Sequence, residues 1–441
     1  MKKTRSLIVL GFLGAILLGA FLLMLPVSSP SHTWRKPMDA LFTACSAVCI
    51  TGLTVIDVGT QLSRFGHCVL LALVQLGCLG IMTLGTFFLV VVGRRLSLSS
   101  EFSLMNAYGV SGVRGWRGLV VWIVVSMMVI EFAGMWIIHT TLPTLTWFRA
   151  YFYAVMAFCN AGFSLDPGSL AVFQGKPLML LTMATLVILG GIGFPVIYNL
   201  CTIQFWRRNL VKRGRLTLHA RVVLLSTLLF LVAMFVFVLA LEWKGALEPY
   251  SLLEKCSIAL FQSVSPRTCG FTVLPVHELH PATRFVSEVL MFIGAAPGGA
   301  GGGIKVTTLA VFAVTIWAIC RGSRETVMFK RSIPEAIVRE SIVIVMVFMA
   351  LIALGMTVLL VSEGGKESLT FENLLFETVS AVSTTGLSCG STTSSLSLTG
   401  RIVIMVCMFC GRLGALAVVL LIGGQEERKM IRYPKEELVV G

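Results

Sequence analysis

Apolar positions along this chain come in runs of two lengths. The long runs at 6–25, 68–92, 177–205, 222–241 and 341–362 hold no charged residue, and those at 119–142, 289–320 and 402–424 hold one each, Glu131, Lys305 and Arg412. At about 1.5 Å of helical rise per residue, each run can cross a hydrocarbon core of about 30 Å, so eight membrane spans are predicted. Four short runs, 38–49, 147–158, 252–264 and 371–382, lie between pairs of long ones. With about 18 Å of helix, each reaches only partway through a bilayer. Their starts carry helix signals: Pro37 suits a first turn, Ser251 with Glu254 three residues on fits a capping box, and Thr370 is a favourable N-cap.

Each short run ends at a glycine with small polar neighbours. The four segments are Cys49-Ile50-Thr51-Gly52-Leu53-Thr54, Cys159-Asn160-Ala161-Gly162-Phe163-Ser164, Arg267-Thr268-Cys269-Gly270-Phe271-Thr272 and Ser383-Thr384-Thr385-Gly386-Leu387-Ser388. Their glycines are 110, 108 and 116 residues apart, a near-constant period that marks an internal repeat. Every period reads span, half-length segment, glycine turn, second span and basic link. The chain therefore divides into repeat A (1–105), repeat B (106–212), repeat C (213–330) and repeat D (331–441), with an extra glycine-rich loop in C and a C-terminal tail in D. Non-helical backbone at membrane depth is tolerated only where it lines a water-filled cavity or is buried in protein. Four such re-entrant turns can surround one pore, with the partially negative C-terminal ends of the half-helices aimed at its centre, an arrangement that favours a cation. The predicted fold is all-α integral membrane: four tandem span–pore-helix–span repeats around a pseudo-fourfold central pore. Alternating access would need inverted repeats, whereas here every unit starts on the same side.

Charge then orients the chain. The segments 1–5, 94–117, 207–221, 321–340 and 426–441 hold 22 of the 35 Lys and Arg but 8 of the 21 Asp and Glu, so the whole net charge of +14 lies on one side of an eight-span threading. By the positive-inside rule that side is the cytoplasm and holds both termini. The basic excess is thus topogenic rather than a footprint for nucleic acid. The N-terminal Lys2, Lys3 and Arg5 imitate a signal peptide, but the first repeat needs the run that follows, so it is read as retained. The 12 cysteines are scattered, and Cys407 and Cys410 form a CxxC only within an apolar helix, which argues against a metal or redox centre. His32, His67, His139, His219, His277 and His280 share no helical spacing. With no clustered catalytic set, an enzyme is not expected.

The candidate chemistry is therefore ion selection. Gly52, Gly162, Gly270 and Gly386 allow backbone angles that expose carbonyl oxygens, and Thr51, Asn160, Ala161, Thr268, Cys269, Thr384 and Thr385 add further carbonyls. Rings of carbonyls replace the hydration shell of a monovalent ion such as K⁺, whereas Ca²⁺ or Mg²⁺ would want carboxylates. Asp57 and Asp166 follow outward of the turns, where they either raise the local cation concentration or sit as solvated loop carboxylates. The longest glycine run, with Gly294, Pro297, Gly298, Gly299, Gly301, Gly302 and Gly303 ahead of Lys305, breaks the second span of repeat C. It lacks the Gly-Lys-Ser/Thr of a phosphate loop and reads as an intramembrane gate beneath the filter. Arg412, within the last span, costs about 2.5–3.5 kcal/mol to insert and is a functional residue by default. It stands as an electrostatic barrier or as a donor to carbonyls of the glycine loop. Lys305 is expected to snorkel towards the cytoplasm.

At these residues the chain resembles the Trk/Ktr/HKT superfamily of cation transporters, over essentially its whole length. The matching segments are Thr51-Gly52-Leu53-Thr54-Val55, Asn160-Ala161-Gly162-Phe163-Ser164, Arg267-Thr268-Cys269-Gly270-Phe271-Thr272, Ser383-Thr384-Thr385-Gly386-Leu387-Ser388, Gly302-Gly303-Ile304-Lys305 and Gly411-Arg412-Leu413-Gly414. Eight spans, with no pair before the first repeat, are similar to the bacterial Ktr membrane subunit. The resemblance implies K⁺ uptake across the inner membrane and assembly as a homodimer in lipid. It implies a cytosolic RCK-type nucleotide-binding regulatory subunit on the basic face, with nucleotide held only there. It implies K⁺ in the pore, Na⁺ as a further candidate ion, and no covalently bound cofactor. In the family a serine at the first filter glycine goes with Na⁺, so Gly52 points to K⁺. Pro297, Gly299 and Ala300 stand where the family's intramembrane loop usually carries hydroxyl residues.

Overall fold

The structure, a computed structural model, describes residues 2–79, 115–203, 216–323, 325–366, 369–390 and 392–414. Most of the basic links, the tail, the repeat boundaries at 105 and 212, and the ends of the second, fourth and eighth long runs lie outside the described residues.

Within the stretches read as A, B, C and D, a first helix is followed by a half-helix and then by one or more further helices. The first helices are Lys2–Met24, Gly115–Thr141, Leu218–Glu242 and Glu335–Glu363. The half-helices are Pro37–Val48, Trp147–Phe158, Leu252–Val264 and Phe371–Ser383, close to the short runs read from the sequence. Their caps form as expected. Pro37 sits in the first turn, the Ser251 and Glu254 pair makes a capping box, and the Thr370 hydroxyl accepts from the Asn373 amide. Among the described residues, three helices are long and apolar enough to cross a membrane: Val120–Thr141, Leu218–Glu242 and Glu335–Glu363. A bent pair, Pro177–Ile192 and Phe194–Thr202, makes a fourth if counted as one span.

Burial is inverted relative to a water-soluble domain. The half-helices form the core, with Phe42, Phe152, Tyr153, Phe158 and Phe261 fully enclosed. The first helices turn Val121, Val125 and Val129, or Leu225, Leu228, Leu229 and Val232, outward. Such outward apolar stripes suit contact with hydrocarbon rather than water.

The closing helices set the packing. Each lies against the half-helix of the following repeat: Arg64–Cys78 on Trp147–Phe158, Pro177–Ile192 on Leu252–Val264, Pro281–Phe292 on Phe371–Ser383, and Leu398–Leu413 on Pro37–Val48. The last of these contacts joins D back to A, so the repeats close into a cycle in chain order.

Three details depart from the sequence reading. The run 177–205 is not one straight helix but turns by 95° at Gly193. There the backbone takes φ 85° and ψ 148°, which glycine adopts without steric cost, and Pro195 follows. Gly414 ends Leu398–Leu413 with nearly the same angles, φ 82° and ψ 147°, so the last long run is also not helical throughout. Finally, a two-residue hairpin pairs Val327–Met328 with Arg331–Ser332 in the link after repeat C, at the expected boundary of 330. Phe329 and Lys330 make its tight turn with φ 51° and 62°.

Candidate functional site

Where each half-helix ends, the backbone reverses hand in the same register. The residue two before each glycine has positive φ although none is glycine: Ile50 at 54°, Asn160 at 56°, Thr268 at 68° and Thr384 at 52°. The glycines then take 91°, 69°, 79° and 91°. A left-handed conformation at a residue with a β-carbon costs roughly 1–2 kcal/mol, and at β-branched Ile50 it is a true outlier. Four such costs at one register indicate a conformation that the surroundings impose. Ile50 was not among the residues singled out from the sequence, because a β-branched side chain argues against this geometry.

The four turns meet. A β-carbon built on Gly52 would fall on the carbonyl of Ala161; one on Gly162, on that of Cys269; one on Gly270, on that of Thr385; and one on Gly386, on that of Thr51. In each case the carbonyl belongs to the residue just before the next repeat's glycine. The cycle runs A, B, C, D and back to A, matching the helix packing. A methyl group at Gly52, Gly270 or Gly386 has no room, and one at Gly162 would be tightly pressed at a φ of 69°, which is the physical reason for glycine here. Thr51, Asn160, Ala161, Thr268, Cys269, Thr384 and Thr385 are all completely buried around this ring. The Asn160 side chain turns away from it, with its amide in reach of the Val187 and Ala157 carbonyls at 3.2 and 2.9 Å. The hydroxyls of Ser46 and Ser380, six residues before their glycines, accept from the amides of Gly52 and Gly386 at 3.1 Å each.

Behind three of the arms the closing helix makes an identical contact. Gly77, Gly190 and Gly411 lie against the carbonyls of Val48, Phe158 and Val382, each four residues before a ring glycine. In repeat C the corresponding helix is interrupted. Pro281–Phe292 stops, 293–305 run without helix, and Val306–Cys320 resumes. The loop pairs with itself where the Gly294 amide donates to the Ile304 carbonyl at 2.9 Å. It also docks on repeat B, through Ala296 to the Gly191 carbonyl and Ala300 to that of Gly190, both at 3.0 Å. The Gly298 carbonyl accepts from the Phe194 amide at 3.1 Å, and a β-carbon on Gly193 would meet the Pro297 carbonyl at 2.7 Å. The bend at Gly193 is thus the seat of the loop, which no reading of repeat B alone disclosed.

The loop tip lies directly beside the ring. Gly301 packs on the Thr268 hydroxyl and Gly302 on that of Thr384, so close that a β-carbon at either position would overlap them. The hydroxyls of Thr51 and Thr384 are buried without a hydrogen-bond partner. Arg412 donates to the Ala300 carbonyl of this loop and, at 2.5 Å, to the Gly77 carbonyl of repeat A. The geometry selects the donor role over a bare electrostatic barrier, and two carbonyls offset part of the desolvation of the guanidinium. Lys305 does not snorkel: its ammonium donates to the Gly301 carbonyl at 2.6 Å, because that acceptor lies one turn away inside the loop.

The outer carboxylates are likewise engaged. Asp57 caps a short turn through the Gly59 amide and the Thr60 hydroxyl. Asp166 pairs with Arg149 and accepts from the Tyr153 hydroxyl at 2.5 Å, so its charge is neutralised locally instead of standing free. Glu131 is fully buried and accepts from the Gln75 amide at 2.7 Å and from the Cys159 thiol at 3.6 Å. It links the helix that carries Gly77 to the end of the second half-helix. A lone charge in an apolar run was its only signal in the sequence.

The family described as TrkH, cation transport protein, matches residues 4–431. The Ktr system potassium uptake protein B of Bacillus subtilis is 34% identical over 446 residues, covering 99% of this chain and 96% of that one. The protein of the same name from Vibrio alginolyticus is 36% identical over 442 residues, at 99% and 94% coverage. The potassium/sodium uptake protein NtpJ of Enterococcus hirae is 32% identical over 446 residues, at 99% and 97%. Among solved structures, the crystal structure of the potassium transporter TrkH from Vibrio parahaemolyticus superposes with a TM-score of 0.69 over 93% of this chain and 84% of that chain. At 17% identity this likeness shows the fold.

Proposed function

The chain belongs to the TrkH family of cation transport proteins, and on that premise we propose that it carries K⁺ into the cell through a pore along the axis of the four glycines. The observation that carries this reading is the closed cycle in which each ring glycine lies on the next repeat's carbonyl. The positive φ at two residues of each turn frees the backbone from the helical direction, so the turns can present carbonyls to an ion in place of its hydration shell. The site residues are Thr51, Gly52, Asn160, Ala161, Gly162, Thr268, Cys269, Gly270, Thr384, Thr385 and Gly386, to which the register adds Ile50. The relatives named for potassium uptake, and the glycine at position 52, favour K⁺. The name of the Enterococcus hirae relative includes sodium, which keeps Na⁺ as a second ion to test.

In this reading 294–303, with Lys305 and Arg412, form the gate. The loop tip stands against Thr268 and Thr384 of the ring, is bonded to repeat B, and is held by Arg412 of repeat D, which also reaches Gly77 of repeat A. The full proposal is eight spans with cytoplasmic termini in the bacterial inner membrane, a homodimer, and a cytosolic nucleotide-binding subunit on the basic face that moves the loop. The test is ⁸⁶Rb⁺ uptake, competed by K⁺ and Na⁺, in cells lacking their own K⁺ uptake. Uptake competed strongly by K⁺ is expected, and Gly52→Ser, whose β-carbon would displace the Ala161 carbonyl, should lower uptake and reduce the K⁺ over Na⁺ preference of what remains. No uptake above background, or a preference untouched by Gly52→Ser, would refute the pore reading.

A further inference from the structure

Position nine before each ring glycine is Thr43, Tyr153, Phe261 or Glu377, and all four side chains are fully buried. In two arms this residue reaches across its own turn to the residue two after the glycine. In repeat B the Tyr153 hydroxyl lies 3.1 Å from the Ser164 hydroxyl. In repeat D the Glu377 carboxylate accepts from the Ser388 hydroxyl at 2.8 Å and also from Thr393. Ser164 and Ser388 occupy the same register. The other two arms lack this contact. The Thr43 hydroxyl donates to the Asp39 carbonyl of its own helix, and Phe261 has no polar atom to offer. The outer leg of the third arm is held from outside instead, with Thr272 bonded through its amide to the Ser169 hydroxyl and through its carbonyl to the Leu170 amide. Because the ring closes in the order A, B, C, D, the two braced arms face each other.

We infer that Tyr153 and Glu377 are positioning residues that fix the outer legs of two opposed arms, and so set how strictly the ring discriminates between monovalent cations. The inference rests on the reading of the ring as a filter. A fully buried carboxylate in a half-helix is costly to keep unless its partners are fixed. Glu377 has two hydroxyl donors, both on the segment that leaves the ring. Tyr153 is tied at its other side to Asp166, which Arg149 holds in turn. Each brace therefore runs from the half-helix, through one serine, to the strand of chain that carries the ring carbonyls. Neither residue touches the ion path. Their effect reaches it only through the placement of backbone, and discrimination between ions of similar charge depends on that placement and its stiffness.

The experiment measures ⁸⁶Rb⁺ uptake with K⁺ and Na⁺ as competitors, in cells without other K⁺ uptake, alongside the amount of protein in the membrane. Tyr153→Phe and Ser388→Ala remove a single oxygen each and are expected to keep the fold. Both should lower the K⁺ over Na⁺ preference severalfold. Glu377→Ala should do the same, Glu377→Gln should restore most of the preference because it still accepts from one hydroxyl, and Glu377→Ala with Ser388→Ala should be no worse than either alone. An unchanged preference in Tyr153→Phe and Ser388→Ala, while Gly52→Ser still lowers it, would overturn the brace and leave the filter standing. A preference unmoved by Gly52→Ser as well would refute the filter itself. Loss of Glu377→Ala from the membrane, with the two single-oxygen variants present and normal in preference, would assign Glu377 to folding alone.

Discussion

Behind the first, second and fourth arms, a glycine of the closing helix rests on the carbonyl four residues before the ring glycine. Behind the third, Gly294 rests on the Gly302 carbonyl of its own loop. The backbone in front of these contacts is nevertheless alike in all four arms, with positive φ at the same two registers. Sameness at the ring therefore does not require sameness behind it. The third arm compensates by borrowing support. Its half-helix packs on Pro177–Ile192 of repeat B, and its loop hangs on Gly190 and Gly191 of that same helix. A repeat freed from its own scaffold has backbone to spare for something that can move. On the proposed reading, selection belongs to the ring that the four repeats share, and control to the loop that repeat C alone inserts among the described residues.

The comparison breaks first at the ring. Gly386→Ala places a methyl group on the Thr51 carbonyl at a φ of 91°, where no neighbour can yield without moving backbone. Uptake should fall by roughly a hundredfold, equivalent to about 2.7 kcal/mol, with the protein still in the membrane. Survival of uptake would mean that the ring is not the path. The next effect is at the clamp. Arg412→Gln should raise flux measured without the regulatory partner by about tenfold, since a hydrogen bond to a charged group contributes about 1.5–3 kcal/mol, and shortening 297–301 should do likewise. Loss of protein from the membrane in Arg412→Gln, together with unchanged flux in the shortened loop, would make both features structural. The smallest effect belongs to Lys305→Met. This bond closes the loop only on itself, so a rise of about threefold is expected, which corresponds to about 0.65 kcal/mol. If Lys305→Met exceeds Arg412→Gln in the same flux assay, the loop is held by its own closure, and its ties to neighbouring repeats do not matter.

Much of this was legible in the chain. Trp147–Phe158 and Leu252–Val264 fall where run length and caps put them, because a half-length apolar segment with a clear start is a local property. The four glycines were legible because a period needs no structure to be seen. The bend at Gly193 was not, since the apolar run continues through it and hydropathy does not register a change of direction. Ile50 was missed because its own preference opposes the angle that it adopts, while burial of its side chain and the bonds of the Ile50 and Thr51 amides back to the half-helix are tertiary and local contacts that no propensity records. The acceptors of Arg412 and Lys305 were hidden for a third reason. A charge in an apolar run announces that a partner exists, but a carbonyl can belong to any residue, so sequence cannot name it.

Arg412 joins a loop of repeat C to a helix of repeat A from a position in repeat D. That gives the molecule an order of assembly. The chain leaves the ribosome from its N-terminus, so the loop and its seat at Gly190 and Gly191 are made before residue 412 is. The clamp thus waits on the last described helix, whatever has formed before it. Until then the fourth arm has no Gly411 behind it and the loop has no tie to Arg412, and a chain cut short before Leu398–Leu413 lacks both at once.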